Sequence, residues 1–227
     1  MIYIVIILLA AIILLPGIWV KRTINKYTYD LPELPGTGGQ FAEHLLKRFN
    51  ILDIIVEQGQ EHGDHYSPQE KRIRLSPTIY SGKSISAVAI AAHEVGHAIQ
   101  YHRKEPITKL REKLTPVAFI AEKLSLGLIT LSPILILLFK LPQIGIFAIV
   151  AALISLALSV LVQFIILPME WDASFNKALP ILIEGQYLDD TDIPAARKIL
   201  RAAAMTYVAA TLSSILNIWR WLLILRR

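Results

Sequence analysis

The feature that most constrains this chain is a run of 24 uncharged residues, Ile144 to Leu167. As an α-helix rising about 1.5 Å per residue it exceeds the roughly 30 Å thickness of a bilayer core. A second apolar arm, Leu124 to Phe139 extended by Val117 to Ala121, precedes it across the short turn Lys140-Leu141-Pro142-Gln143. The two read as a transmembrane hairpin; the alternative is a buried helical hairpin of a soluble protein. A further 19 uncharged residues, Ile2 to Val20, open the chain, with Pro16 inside them. Lys21, Arg22 and Lys26 follow this stretch instead of preceding it, so it reads as an anchor and not a cleaved signal.

Composition agrees. The 227 residues are 54% hydrophobic and 18% charged, with mean hydropathy +0.51. Ordinary globular domains are less apolar and more charged, so disorder is excluded and a purely water-soluble protein is not expected. Cysteine is absent, which excludes disulfides, thiolate ligands and a cysteine nucleophile. The formal net charge is +5. The basic residues cluster beside apolar spans without interleaved aromatics, so no nucleic-acid partner is expected. Lys21, Arg22, Lys26, Lys104, Lys109, Arg111, Lys113 and Lys123 lie on one side of the spans and Lys140 alone on the other. The positive-inside rule then predicts a multi-pass protein of the cell membrane whose polar parts share the cytoplasmic side.

Five pieces follow. Residues 1–20 are the N-terminal anchor, 21–116 a polar domain and 117–167 the hairpin. Residues 168–201 form the second part of the polar domain. Residues 202–227 form a C-terminal helix that spans the bilayer or lies at its interface, since Asn217 and Arg220 interrupt it and Trp219 and Trp221 flank Arg220. Within residues 21–116, residues 32–39 read as a linker. Gln40 to Phe49 reads as a helix, Asp53 to Gln58 as a strand, and Gly63 to Gln69 as a loop. Arg72 to Leu75 alternates polar and apolar like a half-buried strand, either a plain sheet strand or an edge that pairs with a substrate peptide. The strongest helix is Ser84 to Tyr101, with Ser84 at its N-cap.

That helix carries His93-Glu94-Val95-Gly96-His97, an HExxH motif. Residues four apart share one helix face, so two imidazoles can reach one metal ion. Glu94 sits beside that face and reaches a water instead of the metal, as metal-assisted hydrolysis requires. Ala89, Ala92 and Gly96 form a stripe of small residues that lets another backbone approach. A zinc site of this kind needs a third protein ligand. Gln100 and Arg103 stand where a longer HExxH pattern would place glycine and histidine, His102 lies on another face, and no histidine follows it. A downstream ligand is therefore a carboxylate. Glu170 is the choice, at the end of the second hairpin arm; Asp172, its nearest competitor, points about 200° away on an α-helix.

The segments Asp64-His65-Tyr66-Ser67-Pro68, Arg72-Ile73-Arg74-Leu75-Ser76, Ser84 to Gln100 and Leu167 to Ser174 together resemble the YugP-like family of bacterial membrane zinc metallopeptidases. The resemblance runs from the glycine-rich linker to the last helix. That family resembles the Ste24/HtpX peptidases in order: metal helix, membrane hairpin, then a helix bearing a glutamate ligand. The resemblance implies that His93, His97 and Glu170 bind one zinc ion and that Glu94 is catalytic. Ser174 stands where Ste24/HtpX enzymes carry an aspartate that orients a ligand histidine, leaving Asp172 or Asp64 as candidates for that support.

The expected fold is thus a mainly α membrane protein. It has a zincin-like catalytic domain with a small β-sheet, and membrane helices before and within it. The expected function is a zinc metalloendopeptidase acting on protein or peptide substrates near the cytoplasmic membrane surface. Neutral histidine ligands set a need for near-neutral or higher pH. The alternative is a non-catalytic zinc-binding membrane scaffold. Asp64 and His65 are candidates for supporting the site or donating to an oxyanion, or for stabilising their loop. Arg197, Arg201 and Tyr207 are candidates for stabilising the oxyanion, or form a plain basic stretch beside the membrane.

Overall fold

The computed structural model describes residues 2–61, 63–140 and 142–212. Its order is α1 (Ile2–Lys26), α2 (Gly38–Arg48), β1 (Ile55–Gln58), β2 (His65–Ser67), β3 (Arg72–Leu75), α3 (Pro77–Tyr80), α4 (Ile85–His102), α5 (Pro106–Phe139) and α6 (Pro142–Trp171). A π-helical segment (Asp172–Ala178), α7 (Leu179–Glu184) and α8 (Ile193–Ala204) follow. The chain is mostly helical with one three-stranded sheet. Contacts divide it into two units. One comprises Met1–Gly17, Lys109–Leu167 and Tyr207–Arg227; the other comprises Ile18–Thr108 and Pro168–Thr206. Residues 206–212 are helical, and the tryptophans and polar breaks read between Asn217 and Trp221 lie outside the described residues.

In the first unit α5 and α6 pair through Ala118 with Val162 and Ile166, and through Ile129 with Ala152 and Leu156. Lys140, at φ 54°, closes α5 in the left-handed region, and its N–H donates to the Ile136 carbonyl. Helical stretches Pro106–Phe139 and Gln143–Glu184 are each long and apolar enough to cross a membrane. Only 17% and 28% of their most apolar windows are buried. Leu137, Leu138 and Phe147 stand exposed on these helices. Helix α5 runs through Pro116 and Pro133, and α6 through Pro168.

The second unit is built around α4. Ile85 to Gln100 are buried on every face, and α4 packs against α2, α3, α7, α8, the π segment and the sheet. Ser84 caps it by accepting from the Ala87 N–H at 3.1 Å. The sheet has order β1-β3-β2, with β3 parallel to β1 and antiparallel to β2. Ile73 and Leu75 point into the core, while Arg72 and Arg74 pair with Glu57 and Arg74 also with Glu70.

Two local expectations are corrected, and one of two alternatives is decided. Arg72 to Leu75 is the central strand, so both its edges are taken and it cannot add a substrate strand. The loop read over residues 63–69 contains strand β2, anchored by buried Tyr66 against Ile73, because a hairpin partner outweighs the local turn formers. The glycine run is no linker. Thr37 and Gln40 form a capping box that starts α2 at Gly38. A Cβ on Gly38 would stand 2.3 Å from the Ile79 carbonyl oxygen, so the glycines serve close packing on α3.

Candidate metal centre

The helical period brings His93 and His97 to one face of α4, with ring centroids 4.7 Å apart. The end of α6 brings Glu170 to the same place. Its Oε2 lies 3.0 Å from His97 Nε2 and 3.4 Å from His93 Nε2. One ligand atom from each of the three residues lies within 4.8 Å of the others, and all three residues are buried. Glu94 is buried on the same helix, 5% exposed.

This approach depends on Gly96. A Cβ there would lie 2.7 Å from the Ala173 carbonyl oxygen, so only glycine lets the π segment come this close. The expected small-residue stripe has this physical role at Gly96. The π segment also changes the phase of the chain after Glu170. Its wider turn puts Asp172 and Lys177, five residues apart, in contact, and aims Ser174 at the metal helix.

The imidazoles are held from behind. Ser174 Oγ is 2.9 Å from the Leu200 carbonyl oxygen and 2.9 Å from His93 Nδ1. Its single proton goes to the carbonyl, so it accepts from His93 Nδ1–H and leaves the Nε2 lone pair facing Glu170. Gln100 Oε1 lies 2.9 Å from His97 Nδ1. Two neutral imidazoles with inward Nε2 lone pairs and one carboxylate fit zinc. Ligand atoms bound at about 2.0–2.1 Å in a tetrahedron stand about 3.3 Å apart, close to the separations here. Burial of a carboxylate beside two histidines is costly unless it is paired, and Glu170 is only 1% exposed.

Asp172 touches no ligand histidine. It accepts from Gln100 Nε2 at 2.7 Å, from Asn176 at 2.8 Å and from Lys177. Burial works against its charge, but the hydrogen bonds from Lys177, Gln100 and Asn176 outweigh it and hold the carboxyl below the usual range. Asp64 lies elsewhere, accepting from the Ser76 N–H at 2.7 Å and the Ser76 hydroxyl at 3.3 Å. Burial raises its carboxyl above the usual range. His65 Nδ1 meets the Gly63 carbonyl at 2.6 Å on β2. Arg197 and Arg201 line a cavity of about 440 Å³ with Ile183, Asp190, Ile193, Pro194 and Lys198, a lining that includes none of the three ligand-bearing residues. Tyr207 belongs to the other unit, where its hydroxyl accepts from Arg111 at 2.9 Å. Sequence reasoning missed Gln100 and Ser174 as supports of the histidines. The signal for Ser174 was its fixed offset from Glu170, but the π turn that aims it is not visible in the residue types.

The chain has relatives among known proteins. Residues 2–226 match the family model described as "Putative neutral zinc metallopeptidase". The chain belongs to that family. It is 34% identical over 206 residues, 90% of this chain and 88% of the other, to "Putative membrane protease YugP" of Bacillus subtilis (strain 168). No solved structure matches the chain significantly. Family membership extends along both units, so the membrane-length helices are part of the matched protein and not an appendage.

Proposed function

We propose that this protein is a membrane-anchored zinc endopeptidase that hydrolyses peptide bonds of proteins or peptides at the cytoplasmic membrane surface. The observation that carries the reading is the meeting of His93, His97 and Glu170 with both imidazole Nδ1 atoms already engaged. These three residues would hold the ion. A bound zinc supplies Lewis acidity toward a carbonyl and makes water a nucleophile near neutral pH. Glu94 accepts the proton of the attacking water and returns it to the leaving amine. Ser174 and Gln100 keep the two imidazoles in the neutral, inward-facing form. The HExxH helix lying over a small sheet supports a zincin-like catalytic core. Two histidines and one glutamate are the ligand set of a catalytic site with an open fourth position, whereas a structural site is closed by four protein ligands. The charge asymmetry across the spans supports placing residues 21–116 and 168–201 in the cytoplasm.

The test is metal analysis of the purified protein beside proteolysis of a broad peptide pool. The parent should hold one zinc per chain and cleave. Glu94→Gln should keep the zinc and lose about a hundred- to ten-thousand-fold in rate. Zinc retention with no cleavage by the parent would favour the scaffold reading, and equal turnover by Glu94→Gln would remove Glu94 from the mechanism.

A further inference from the structure

Gln100 has no solvent exposure, and each of its polar atoms is engaged. Nε2 donates to the Met169 carbonyl at 3.0 Å and to Asp172 Oδ2 at 2.7 Å. With the amide turned over, its carbonyl would face a carboxylate and a peptide carbonyl, two acceptors with no proton between them. The amide is therefore held one way, with Oε1 toward His97 Nδ1 at 2.9 Å. An oxygen there can only accept. The His97 ring must carry its proton on Nδ1, which leaves the Nε2 lone pair 3.0 Å from Glu170 Oε2.

Asp172 is fixed in turn. Asn176 donates to its Oδ1 at 2.8 Å, and Lys177, 8% exposed, bridges it to Glu105 at 3.1 Å. A lysine so buried is retained only where acids satisfy it, and here the π turn supplies one of the two. The contacts form a chain: Glu105, Lys177, Asp172, Gln100, His97. His93 has a different arrangement, because its partner Ser174 is fixed by one backbone carbonyl.

We propose that Gln100 is a positioning residue for His97, and that Asp172, clamped by Lys177 and Asn176, sets the orientation of the Gln100 amide. Gln100 thereby does for His97 what Ser174 does for His93. The proposal rests on the metal-site reading above.

The experiment compares the full-length parent with Gln100→Leu, Gln100→Glu, Asp172→Ala and the double variant Gln100→Leu with Asp172→Ala. Zinc affinity is read by chelator competition, and ligand geometry by the visible spectrum of the cobalt(II) form. Gln100→Leu should weaken zinc binding by about ten- to a hundred-fold, the usual effect of removing such an outer partner. Gln100→Glu still offers an oxygen to His97, but its other oxygen faces Asp172 and the Met169 carbonyl, so it too should lose affinity and show an altered cobalt spectrum. Asp172→Ala should weaken binding by a similar factor or less, and the double variant should bind no more weakly than Gln100→Leu, because Asp172 acts through the Gln100 amide. A role in packing alone predicts that Gln100→Glu, being isosteric, matches the parent, and support by Asp172 that bypasses Gln100 predicts that the two losses add; either result overturns the proposal. Parental affinity in Gln100→Leu overturns it as well. A parent that binds neither zinc nor cobalt overturns the metal reading itself, which separates the two failures.

Discussion

Replacing Gly96 with alanine sets two effects of known sign against each other. Alanine is favoured over glycine inside a helix by about 1 kcal/mol. Its Cβ would stand 2.7 Å from the Ala173 carbonyl oxygen, about 0.7 Å short of the 3.4 Å at which ordinary contact begins. The clash is with backbone, so no side-chain rotation relieves it. Overpacking of this kind costs about 1–3 kcal/mol, and the net loss of stability is therefore small, about 0–2 kcal/mol. Function should suffer far more. Ala173 lies between Glu170 and Ser174, and both face His93. Moving that segment by several tenths of an ångström exceeds the roughly 0.2 Å tolerance of a metal site. Gly96→Ala should remain folded by circular dichroism, lose about ten- to a hundred-fold in zinc affinity by chelator competition, and lose activity in proportion. Gly127→Ala is the control, because nothing lies within 4 Å of its added Cβ. It should gain slightly in thermal stability and bind zinc as the parent does. Parental zinc affinity in Gly96→Ala would show that the close approach at Ala173 does not set the ligand geometry.

Glu170→Ala should lose its zinc on dialysis against a mild chelator, whereas Asp172→Ala should weaken retention only about ten- to a hundred-fold, since it acts through Gln100. Retention by the first and complete loss by the second would assign the wrong carboxylate. Single cysteines placed at Lys26, Lys113 and a position following Glu170, in a chain that has none of its own, should stay unlabelled by an impermeant thiol reagent in intact cells. Labelling of any of them from outside contradicts the cytoplasmic placement. Burial raises the Asp64 carboxyl in the folded protein, against the hydrogen bonds from Ser76. The folded state thus binds that proton more tightly than the unfolded chain, and stability drops as pH rises from about 4 through the folded value. Asp64→Asn has no such titration, so its melting temperature should gain on the parent's across that window; a constant difference from pH 4 to 7 refutes the assignment.

What the sequence determined by itself was local in origin. HExxH on an alanine-rich, serine-capped helix puts two imidazoles on one face, because the 3.6-residue period is a property of the backbone alone. The uncharged runs set the hairpin for the same reason, since length and apolar character are additive along the chain. Glu170 was reached by elimination among the few remaining residue types. Tertiary structure decided the rest. Gln100 looked like no more than a missing glycine, because its partners Met169 and Asp172 lie some seventy residues away. Ser174 looked like a lost aspartate until the π segment re-aimed it at His93. Asp172, placed on the far side of Glu170 by α-helical arithmetic, joins the support of His97 because the helix widens at that residue. The glycine run was misjudged, and the edge alternative for Arg72 to Leu75 fails, on the same ground. A short segment's residue types record its turn preferences. They do not record that a carbonyl oxygen will lie 2.3 Å from where a Cβ of Gly38 would stand, or that β3 will have a strand on each edge. Those outcomes depend on long-range packing, where burial against a neighbour outweighs local propensity.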